Sequence, residues 1–383
     1  MRLDTRLIHH PGAECEHTGA VSPPIYQVST FRQEAVGVSE GYDYSRTGNP
    51  TRDVLEDYIA ELEGAAGGVA FGSGMAAISS CLMLLKAGDH LIATEGLYGG
   101  TYRVLRQIFD GLDVRCTFAD TTDTCAVADA FQDNTRAVLI ETPSNPLMRI
   151  SDIAGIAGLA HEHDALLMVD NTFMSPYLQR PLEHGADIVI HSATKFLGGH
   201  SDAIDGLAVA REENILQRIR RVQNTVGAIP SPLDCWIVIR GMKTLGVRLE
   251  KGQKSAGRIA RWLAGRPEVE LVYYPGLGTL PGDEVHGRQS DGPGAIVSFV
   301  LRGDLDPDPL LESMSVWTLA VSLGGVESII TQPAKMTHLP YSRRELERLG
   351  IGDNLIRLSV GIEDPEDLIE ELAHGLELAT GGD

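Results

Sequence analysis

The sequence predicts an α/β protein with a mostly parallel central sheet, and two observations support this prediction. Short runs in the middle of the chain are apolar throughout, which is typical of strands buried on both faces of a parallel sheet. A helical spacing of apolar residues between positions 153 and 160 separates two of these runs, and such an alternation forms βαβ units. The predicted strands span residues 91–94, 137–140, 165–169 and 188–190.

Taken in order, the chain divides into three predicted parts. Residues 1–58 show little regular pattern, and we interpret them as an arm that contacts a neighbouring subunit. Residues 59–240 form an α/β domain that contains the parallel sheet and a helix over residues 74–86. Residues 241–383 mix strand and helix patterns and form a smaller α+β domain. A long helical pattern over residues 234–263 leads into it.

The smaller domain contains one strand of special interest. Residues 354–360 alternate between apolar residues on one face and a second face that carries Arg357. An arginine in this position can bind a carboxylate through two parallel hydrogen bonds. Further strands are predicted at residues 269–274 and 295–301, and Asp364–Pro365 begins the last helix.

Composition excludes several classes of function. The net charge of −21 argues against binding to nucleic acid or to an anionic membrane. The five cysteines are scattered, which favours reduced thiols over a disulfide framework or a zinc site, and we predict no metal. No apolar run approaches the length of a membrane span, and the N-terminus lacks a signal-peptide core, so we expect a cytoplasmic protein.

The lysine at position 195 is the first candidate catalytic residue. It follows the buried run at 188–190, past the carboxyl end of a predicted strand. Partial burial there lowers the pKa of an amine and makes it nucleophilic. The hydroxyl groups of Ser192 and Thr194 flank this lysine and can hold a phosphate.

Polar residues follow the other predicted strands in the same way. Ligands bind outside the carboxyl ends of strands in such sheets, so these side chains should meet at one edge. Four strands that deliver polar groups to one edge are a stronger signal than a single acid after one strand. The residues are Tyr98, Glu141, Asn145, Asp170, Ser192 and Lys195.

A glycine-rich turn at residues 72–77 imitates the dinucleotide fingerprint G-x-G-x-x-A. The strand that follows does not end in an acid for a ribose, which weakens a nicotinamide-dependent oxidoreductase as an interpretation. A helix N-terminus still attracts phosphate, and Gly74 and Met75 would supply backbone N–H groups. A binding protein without a cofactor is the other alternative from a different class.

A desolvated lysine, a phosphate-binding turn and a strand-end carboxylate together suggest pyridoxal 5′-phosphate (PLP). This cofactor needs a lysine for covalent attachment and an acid at its pyridine nitrogen, for which Lys195 and Asp170 are the candidates. Tyr98 would stack on the ring. The predicted phosphate ligands are Gly74, Met75, Ser192 and Thr194, with Tyr44 and Arg46.

Combined motifs over nearly the whole chain resemble the PLP enzymes of cysteine and methionine transsulfuration. The resemblance implies the aspartate-aminotransferase-like fold (fold type I) and a homotetramer in which Tyr44 and Arg46 reach the phosphate of a neighbouring subunit. The motifs that carry it are Tyr44-Ser-Arg-Thr-Gly-Asn-Pro-Thr51, Ser73-Gly-Met-Ala-Ala77, Tyr98-Gly-Gly-Thr101, Glu141-Thr-Pro-Ser-Asn-Pro146, Val169-Asp-Asn-Thr-Phe173, Ser192-Ala-Thr-Lys195 and Leu355-Ile-Arg-Leu-Ser-Val-Gly361.

The resemblance also implies an activity, the γ-elimination of cystathionine to cysteine, 2-oxobutyrate and ammonia by a carbon–sulfur lyase. In this family Lys195 would move protons, and Tyr98 would assist at the departing sulfur. The substrate α-carboxylate would bind Arg357, together with Asn145 and Ser322.

The choice of substrate stays open between γ-lyase, γ-synthase, β-lyase and methionine γ-lyase. Gly100 stands where methionine γ-lyases generally have cysteine, which favours the cystathionine enzymes. Val321 stands where many γ-lyases and γ-synthases have glutamate, and valine resembles methionine γ-lyase instead.

Overall fold

We describe residues 1–15, 17–303 and 305–381 of a computed structural model. Glu16, Asp304, Gly382 and Asp383, which fall within the predicted arm and the predicted smaller domain, lie outside the described residues. The strands are β1 (Gly67–Phe71), β2 (His90–Thr94), β3 (Arg115–Ala119), β4 (Thr135–Glu141), β5 (Leu166–Asp170), β6 (Ile188–Ser192), β7 (Gly206–Ala210), β8 (Val269–Tyr273), β9 (Ile296–Leu301), β10 (Thr318–Leu319), β11 (Ile329–Thr331) and β12 (Leu355–Ser359).

Helices surround these strands, and short 3₁₀ and π-helical turns connect some of them. The α-helices are α1 (Leu3–Ile8), α2 (Pro50–Glu63), α3 (Gly74–Leu82), α4 (Gly99–Val104), α5 (Thr124–Asp129), α6 (Ile153–Glu162), α7 (Ser175–Leu178), α8 (Glu213–Val226), α9 (Pro232–Met242), α10 (Leu245–Ala264), α11 (Asp283–Gln289), α12 (Pro307–Glu312), α13 (Arg343–Leu349) and α14 (Pro365–Ala379). Within the described part of the chain, no helix is both long and apolar enough to cross a membrane.

The larger sheet explains why the site lies where it does. Among the described residues it has seven strands in the order β1-β7-β6-β5-β4-β2-β3. Strands β2 to β6 run parallel to one another, whereas β7 runs antiparallel to its neighbours β1 and β6. The carboxyl ends of β1, β2, β4, β5 and β6 therefore meet at one edge, as predicted.

Both faces of this sheet are covered by helices. Helix α2 packs on one face, where alternate strand residues such as Val169 and Val189 point. Helices α3 and α8 pack on the other face, where Met168 and Ile190 point. Because the inner strands are buried on both sides, their apolar runs are continuous.

The smaller sheet has the order β10-β11-β12-β9-β8, five strands within the described ranges. It packs against α10, α12 and α14, which bury Leu358, Leu368 and Leu372 among others. Helix α10 begins in the core of the larger domain, with Leu249, and ends in that of the smaller one, with Leu263. It therefore joins the two cores.

The predicted helices and strands differ from the structure at their ends. The helix predicted over residues 74–86 ends at Leu82, and the predicted boundary after residue 58 falls inside α2. The extended arm instead ends at Asn49, whose side chain caps α2 by accepting from the N–H groups of Thr51 and Arg52. Strands β3, β7, β10 and β11 were not predicted.

Candidate active site

Lys195 lies in the turn that follows β6, with its ammonium group beside the smaller domain. Its N–H donates to the carbonyl of Ser192 at 3.1 Å, which fixes the turn. Its Nζ donates to Ser322 Oγ at 2.7 Å. Burial, and then the nearby Arg357 cation, lower the pKa of Lys195 to about 8. A sizeable fraction of this amine is therefore neutral near physiological pH.

Close packing holds this turn in place. The buried Arg248 guanidinium donates to the carbonyls of Phe196 at 2.7 Å and Gly241 at 2.8 Å. Gly324 lies against the other side of the turn with a φ of +78°, and a Cβ there would lie 2.6 Å from the nitrogen of Phe196. Only glycine fits this approach without displacing the backbone beside Lys195.

Four of the predicted phosphate ligands lie at the start of α3 and at or just after the end of β6. The backbone of Gly74 and Met75 forms the first turn of α3, where N–H groups have no partner within the helix. Ser192 faces them closely, because a Cβ on Gly74 would lie 2.8 Å from Ser192 Oγ. Thr194 Oγ1 is held by the backbone of Asp205, with an N–H donor at 3.1 Å and a carbonyl acceptor at 3.2 Å.

Asp170 ends β5 in the middle of this edge. Its Oδ1 accepts from the hydroxyl of Thr172 at 2.6 Å and from the N–H of the same residue at 3.1 Å. The Thr172 hydroxyl oxygen in turn accepts from the N–H of Ser192 at 2.9 Å. Burial raises the pKa of Asp170, while the Thr172 hydrogen bonds oppose this rise.

Arg357 crosses from the smaller sheet to the larger one. Its Nη1 donates to Asn145 Oδ1 at 2.9 Å, and its Nη2 donates to the carbonyl of Ser322 at 2.7 Å. Its Nε is buried without a hydrogen-bond partner. Burial lowers the pKa of Arg357 to about 10, so the group stays charged at neutral pH. A buried cation with an unpaired donor favours an anionic ligand such as a carboxylate.

Glu141 ends β4 and joins two of the predicted residues. Its Oε2 accepts from the N–H of Tyr98 at 3.0 Å, and its Oε1 accepts from the N–H of Asn145 at 2.7 Å. Burial, and then the charge of Asp170, raise the pKa of Glu141 to about 8. Glu141 was expected at the sheet edge from the sequence, without a role of its own.

Tyr44 and Arg46 lie apart from this group within the subunit. Arg46 Nη1 donates to the carbonyl and to the side-chain oxygen of Asn224, at 2.8 and 2.7 Å. Tyr44 is 45% exposed, on the arm. Of the predicted site residues, these two are the ones that the structure does not bring to Lys195.

A cavity of about 560 Å³ opens beside Ser322. Val321 forms part of its wall and is 59% exposed. Two carboxylates, those of Asp202 and Glu327, also line it. The other lining residues are Thr194, Ser201, Ala203, Ile204, Thr318, Ala320 and Ile329.

The residues of the site fit PLP. A partly buried amine, a strand-end carboxylate and a helix N-terminus faced by a serine hydroxyl supply the three kinds of contact that the cofactor needs. Gly100 leaves room for the ring of Tyr98 beside Met75. A Cβ at position 100 would lie 2.5 Å from Tyr98 Cε1 and 2.8 Å from Met75 Sδ. The residues that would hold the group are Lys195, Asp170, Tyr98, Gly74 and Ser192.

Thr172 and Arg248 are functional candidates that sequence reasoning missed. Thr172 was quoted only as part of a motif, although a hydroxyl two residues after a strand-end acid is a local signal. Arg248 lies 53 positions after Lys195 along a helical pattern, and no local signal connects the two residues.

Two solved structures have the same fold as this chain. The solved structure of a cystathionine gamma-lyase from Lactobacillus plantarum, complexed with L-serine, has a TM-score of 0.98 and 45% identity, with each chain fully covered. A cystathionine gamma synthase from Xanthomonas oryzae pv. oryzae, in complex with cystathionine, has a TM-score of 0.97 and 42% identity over 100% of this chain and 99% of that one. The predicted fold is confirmed.

Curated relatives extend the similarity to named lyases. A Bacillus subtilis cystathionine gamma-lyase is 47% identical over 98% of this chain and all of that protein. The cystathionine beta-lyase MetC of the same organism is 48% identical over 98% of this chain and 96% of that protein. Residues 4–377 match the model of the Cys/Met metabolism PLP-dependent enzyme family. The chain belongs to this family and is a PLP-dependent enzyme.

Proposed function

We propose that this PLP-dependent carbon–sulfur lyase cleaves L-cystathionine by γ-elimination, releasing L-cysteine, 2-oxobutyrate and ammonia. The observation that carries the proposal is that Lys195 and Arg357 both donate hydrogen bonds to Ser322. This arrangement puts an amine that can transfer protons close to a cation that can bind a carboxylate. The names of the similar lyases support the choice of substrate.

Arg357 orients the substrate in this proposal. Its buried guanidinium would bind the α-carboxylate, with Asn145 and Ser322 beside it. A fixed carboxylate holds the α-carbon at a constant position relative to Lys195. Positioning of this kind removes much of the entropic barrier to reaction.

Lys195 transfers the protons. Bound PLP supplies an electron-withdrawing ring that stabilises negative charge at the substrate α-carbon. The Lys195 amine, whose pKa lies near 8, accepts the proton from the α-carbon and moves a further proton from the β-carbon. Tyr98, 40% exposed, would provide a hydroxyl for the departing sulfur.

The second candidate is β-elimination, and the cystathionine beta-lyases among the relatives favour it. Val321 bears instead on methionine as a substrate. Valine puts no carboxylate at this point of the cavity wall, so selection for the distal ammonium group of cystathionine would be weaker. The relatives include cystathionine beta-lyases as well as gamma-lyases. Gamma-synthase activity is tested by the same assay, and methionine γ-lyase activity is tested by repeating it with methionine as the substrate.

Product analysis decides between these reactions. The purified enzyme is given L-cystathionine, and the oxo acid is identified by chromatography. Mostly 2-oxobutyrate is the expected result, whereas mostly pyruvate would establish β-elimination. Negligible release of either oxo acid, with thioether formation from an O-acyl-homoserine and cysteine, would make the enzyme a synthase.

Lys195→Ala tests the role of the lysine. We expect loss of turnover, because no other proposed group can move the α-proton. Borohydride should fix the cofactor on Lys195 in the wild-type enzyme and not in the variant, as peptide mass analysis would detect. Normal turnover by Lys195→Ala would refute the assignment.

The assembly and compartment complete the proposal. We infer a homotetramer with shared sites, supported by the exposed apolar residues Val21, Val28 and Val36 on the arm that carries Tyr44 and Arg46. Light scattering measures the mass directly. We place the enzyme in the cytoplasm, since its five cysteines are scattered without a disulfide pattern.

A further inference from the structure

Glu141 is the buried carboxylate that the proposed reaction does not use. It is 7% exposed, and each of its oxygens accepts one backbone N–H, from Tyr98 and from Asn145. These two donors lie in different loops. Tyr98 precedes α4, in the loop that follows β2, while Asn145 lies in the loop that follows β4.

The two loops carry different parts of the proposed site. Tyr98 is the expected stacking ring, whereas Asn145 binds Arg357, the expected carboxylate ligand. A single side chain therefore links the cofactor side of the site to its substrate side. The strand register also pairs Glu141 with Asp170, so the two carboxyl groups project from neighbouring strands on the same face.

We propose that Glu141 is a positioning residue, which holds the Tyr98 ring and the Asn145 amide in one fixed arrangement through its two oxygens. This inference rests on the proposed function, because it assigns Glu141 a task only through Tyr98 and Asn145. It goes beyond that function in naming a residue that acts through Tyr98 and Asn145.

The two N–H donors, from Tyr98 and Asn145, explain why position 141 carries a carboxyl group. Two N–H donors need two acceptors, and the two oxygens of a carboxyl group provide both, also when one of them carries a proton. Glutamine has nearly the same shape but only one acceptor, so its NH₂ group would face one of the two N–H groups. Glu141→Gln therefore keeps the volume and disturbs one of the two loops.

Charged and titratable groups face Glu141 from several elements. Asp170 faces it from β5 and Arg357 from β12, while Tyr341 lies on the segment before α13. His338 lies close by, with Nε2 3.2 Å from the carbonyl of Asn145. Burial and the charge of Asp170 raise the pKa of Glu141 to about 8, whereas the charge of Arg357 opposes this rise.

The experiment compares Glu141→Gln with Glu95→Gln. Glu95 also follows a strand of the sheet, but its carboxylate pairs with Arg149 and Arg348 and accepts no hydrogen bond from Tyr98 or Asn145. For Glu141→Gln we expect a fall in kcat/KM of tenfold or more, weaker PLP binding by the cofactor-free protein, and a smaller circular dichroism signal in the cofactor band. Glu95→Gln should match the wild type in all three measurements.

Two results would overturn the proposal. One is a Glu141→Gln enzyme with wild-type cofactor affinity, dichroism and kcat/KM. The other is a variant that loses thermal stability alone, without any change in these three quantities. A wild-type protein that fails to bind PLP would instead refute the proposed function, so the two failures are distinguishable.

Hydrogen exchange in the cofactor-free wild-type protein gives a measurement that needs no variant. The N–H groups of Tyr98 and Asn145 should exchange slowly, at rates similar to each other, because one carboxylate holds both. Fast exchange at either N–H would contradict the proposal, even if Glu141→Gln does not fold.

Discussion

At the scale of single residues, the environment of Lys195 combines burial with a neighbouring cation. Both effects favour the neutral amine, since burial penalises a charge and Arg357 repels one. The two contributions can be separated by a variant that removes only the cation. Because Arg357 lies in the smaller domain, this domain lowers the pKa of a lysine in the larger one.

Arg357→Gln should raise the pKa of Lys195 above its value of about 8, because the repulsion between the two cations disappears. The measurement is the pH dependence of Lys195 labelling by an amine-reactive reagent in the cofactor-free protein, with mass analysis of the labelled peptide. The matched control is Arg343→Gln, which removes an exposed arginine paired with Asp353. An unchanged or lower labelling pKa in Arg357→Gln would contradict the prediction.

Val321→Glu should shift the substrate preference towards cystathionine. The side chain is 59% exposed in the cavity wall, so a carboxylate there can reach the distal ammonium group of this substrate. The measurement is the ratio of kcat/KM for cystathionine to that for methionine, which carries no distal charge. We expect this ratio to rise several-fold, on the order of the effect of one exposed ion pair. Val321→Gln is the control for size, and an equal rise in both variants would contradict the electrostatic account.

At the scale of elements, glycine-rich turns determine how closely the two domains approach. Gly324 brings the turn after Val321 against the backbone of Lys195 and Phe196. The same turn places Ser322 within 2.7 Å of Lys195 Nζ. A substitution of Gly324 would strain its backbone and also push a Cβ against the Lys195 turn. Gly350 has a similar φ without close neighbours, so it separates the two effects.

Gly324→Ala should weaken PLP binding and activity together. Its φ of +78° strains any other residue, and the added Cβ would lie 3.0 Å from the carbonyl carbon of Lys195. Gly350→Ala is the control, because its φ of +80° is similar and a Cβ there meets nothing within 4 Å. Both variants should lose stability, by about 1 kcal/mol for the conformational strain, but only Gly324→Ala should lose cofactor affinity in an absorbance titration. Equal cofactor affinity in the two variants would contradict the steric argument.

Strand ends were predictable from the sequence because their signal is local. Asp170, Ser192 and Lys195 each follow a short apolar run, and parallel strands bring such ends to one edge. The structure brings these residues together, and their roles remain predictions. Gly206–Ala210 carries the same kind of apolar run as β6, but β7 was not predicted, and its antiparallel direction has no local signal.

Contacts between distant segments were not predictable. Glu141 was visible as a strand-end acid, yet its hydrogen bonds depend on the paths of two loops after different strands. Arg248 binds carbonyls of the Lys195 turn from a helix that the sequence assigned only by its spacing. A single sequence carries no local signal for a contact between two residues that are far apart along the chain. For Arg357, the alternation along the strand predicted only which face carries the side chain. Its expected role in binding the substrate carboxylate came from the motif resemblance.

At the scale of the whole molecule, the stability of the fold should depend on pH through its buried acids. Glu56, on α2, accepts from the N–H of Ala70 at 2.9 Å and lies 3.4 Å from Arg52. Burial raises the pKa of Glu56 to about 7, against an unfolded value near 4.5. Between these two values the folded state binds more protons than the unfolded state, so stability falls as pH rises. Glu141, whose pKa is about 8, acts in the same direction.

The free energy of unfolding of the wild type should therefore be higher at pH 6 than at pH 8, and Glu56 alone accounts for about 1 kcal/mol of this difference. Glu56→Gln keeps an acceptor for Ala70 but cannot lose a proton, so its stability should change less between the two pH values. Glu284→Gln is the control, because Glu284 also pairs with an arginine four residues away and is exposed. Urea denaturation at pH 6 and pH 8, at fixed protein concentration and ionic strength, measures all three proteins. If Glu56→Gln keeps the full wild-type pH dependence, or if the wild type is more stable at pH 8, then Glu56 is ionised in the folded protein and its negative charge is balanced by Arg52.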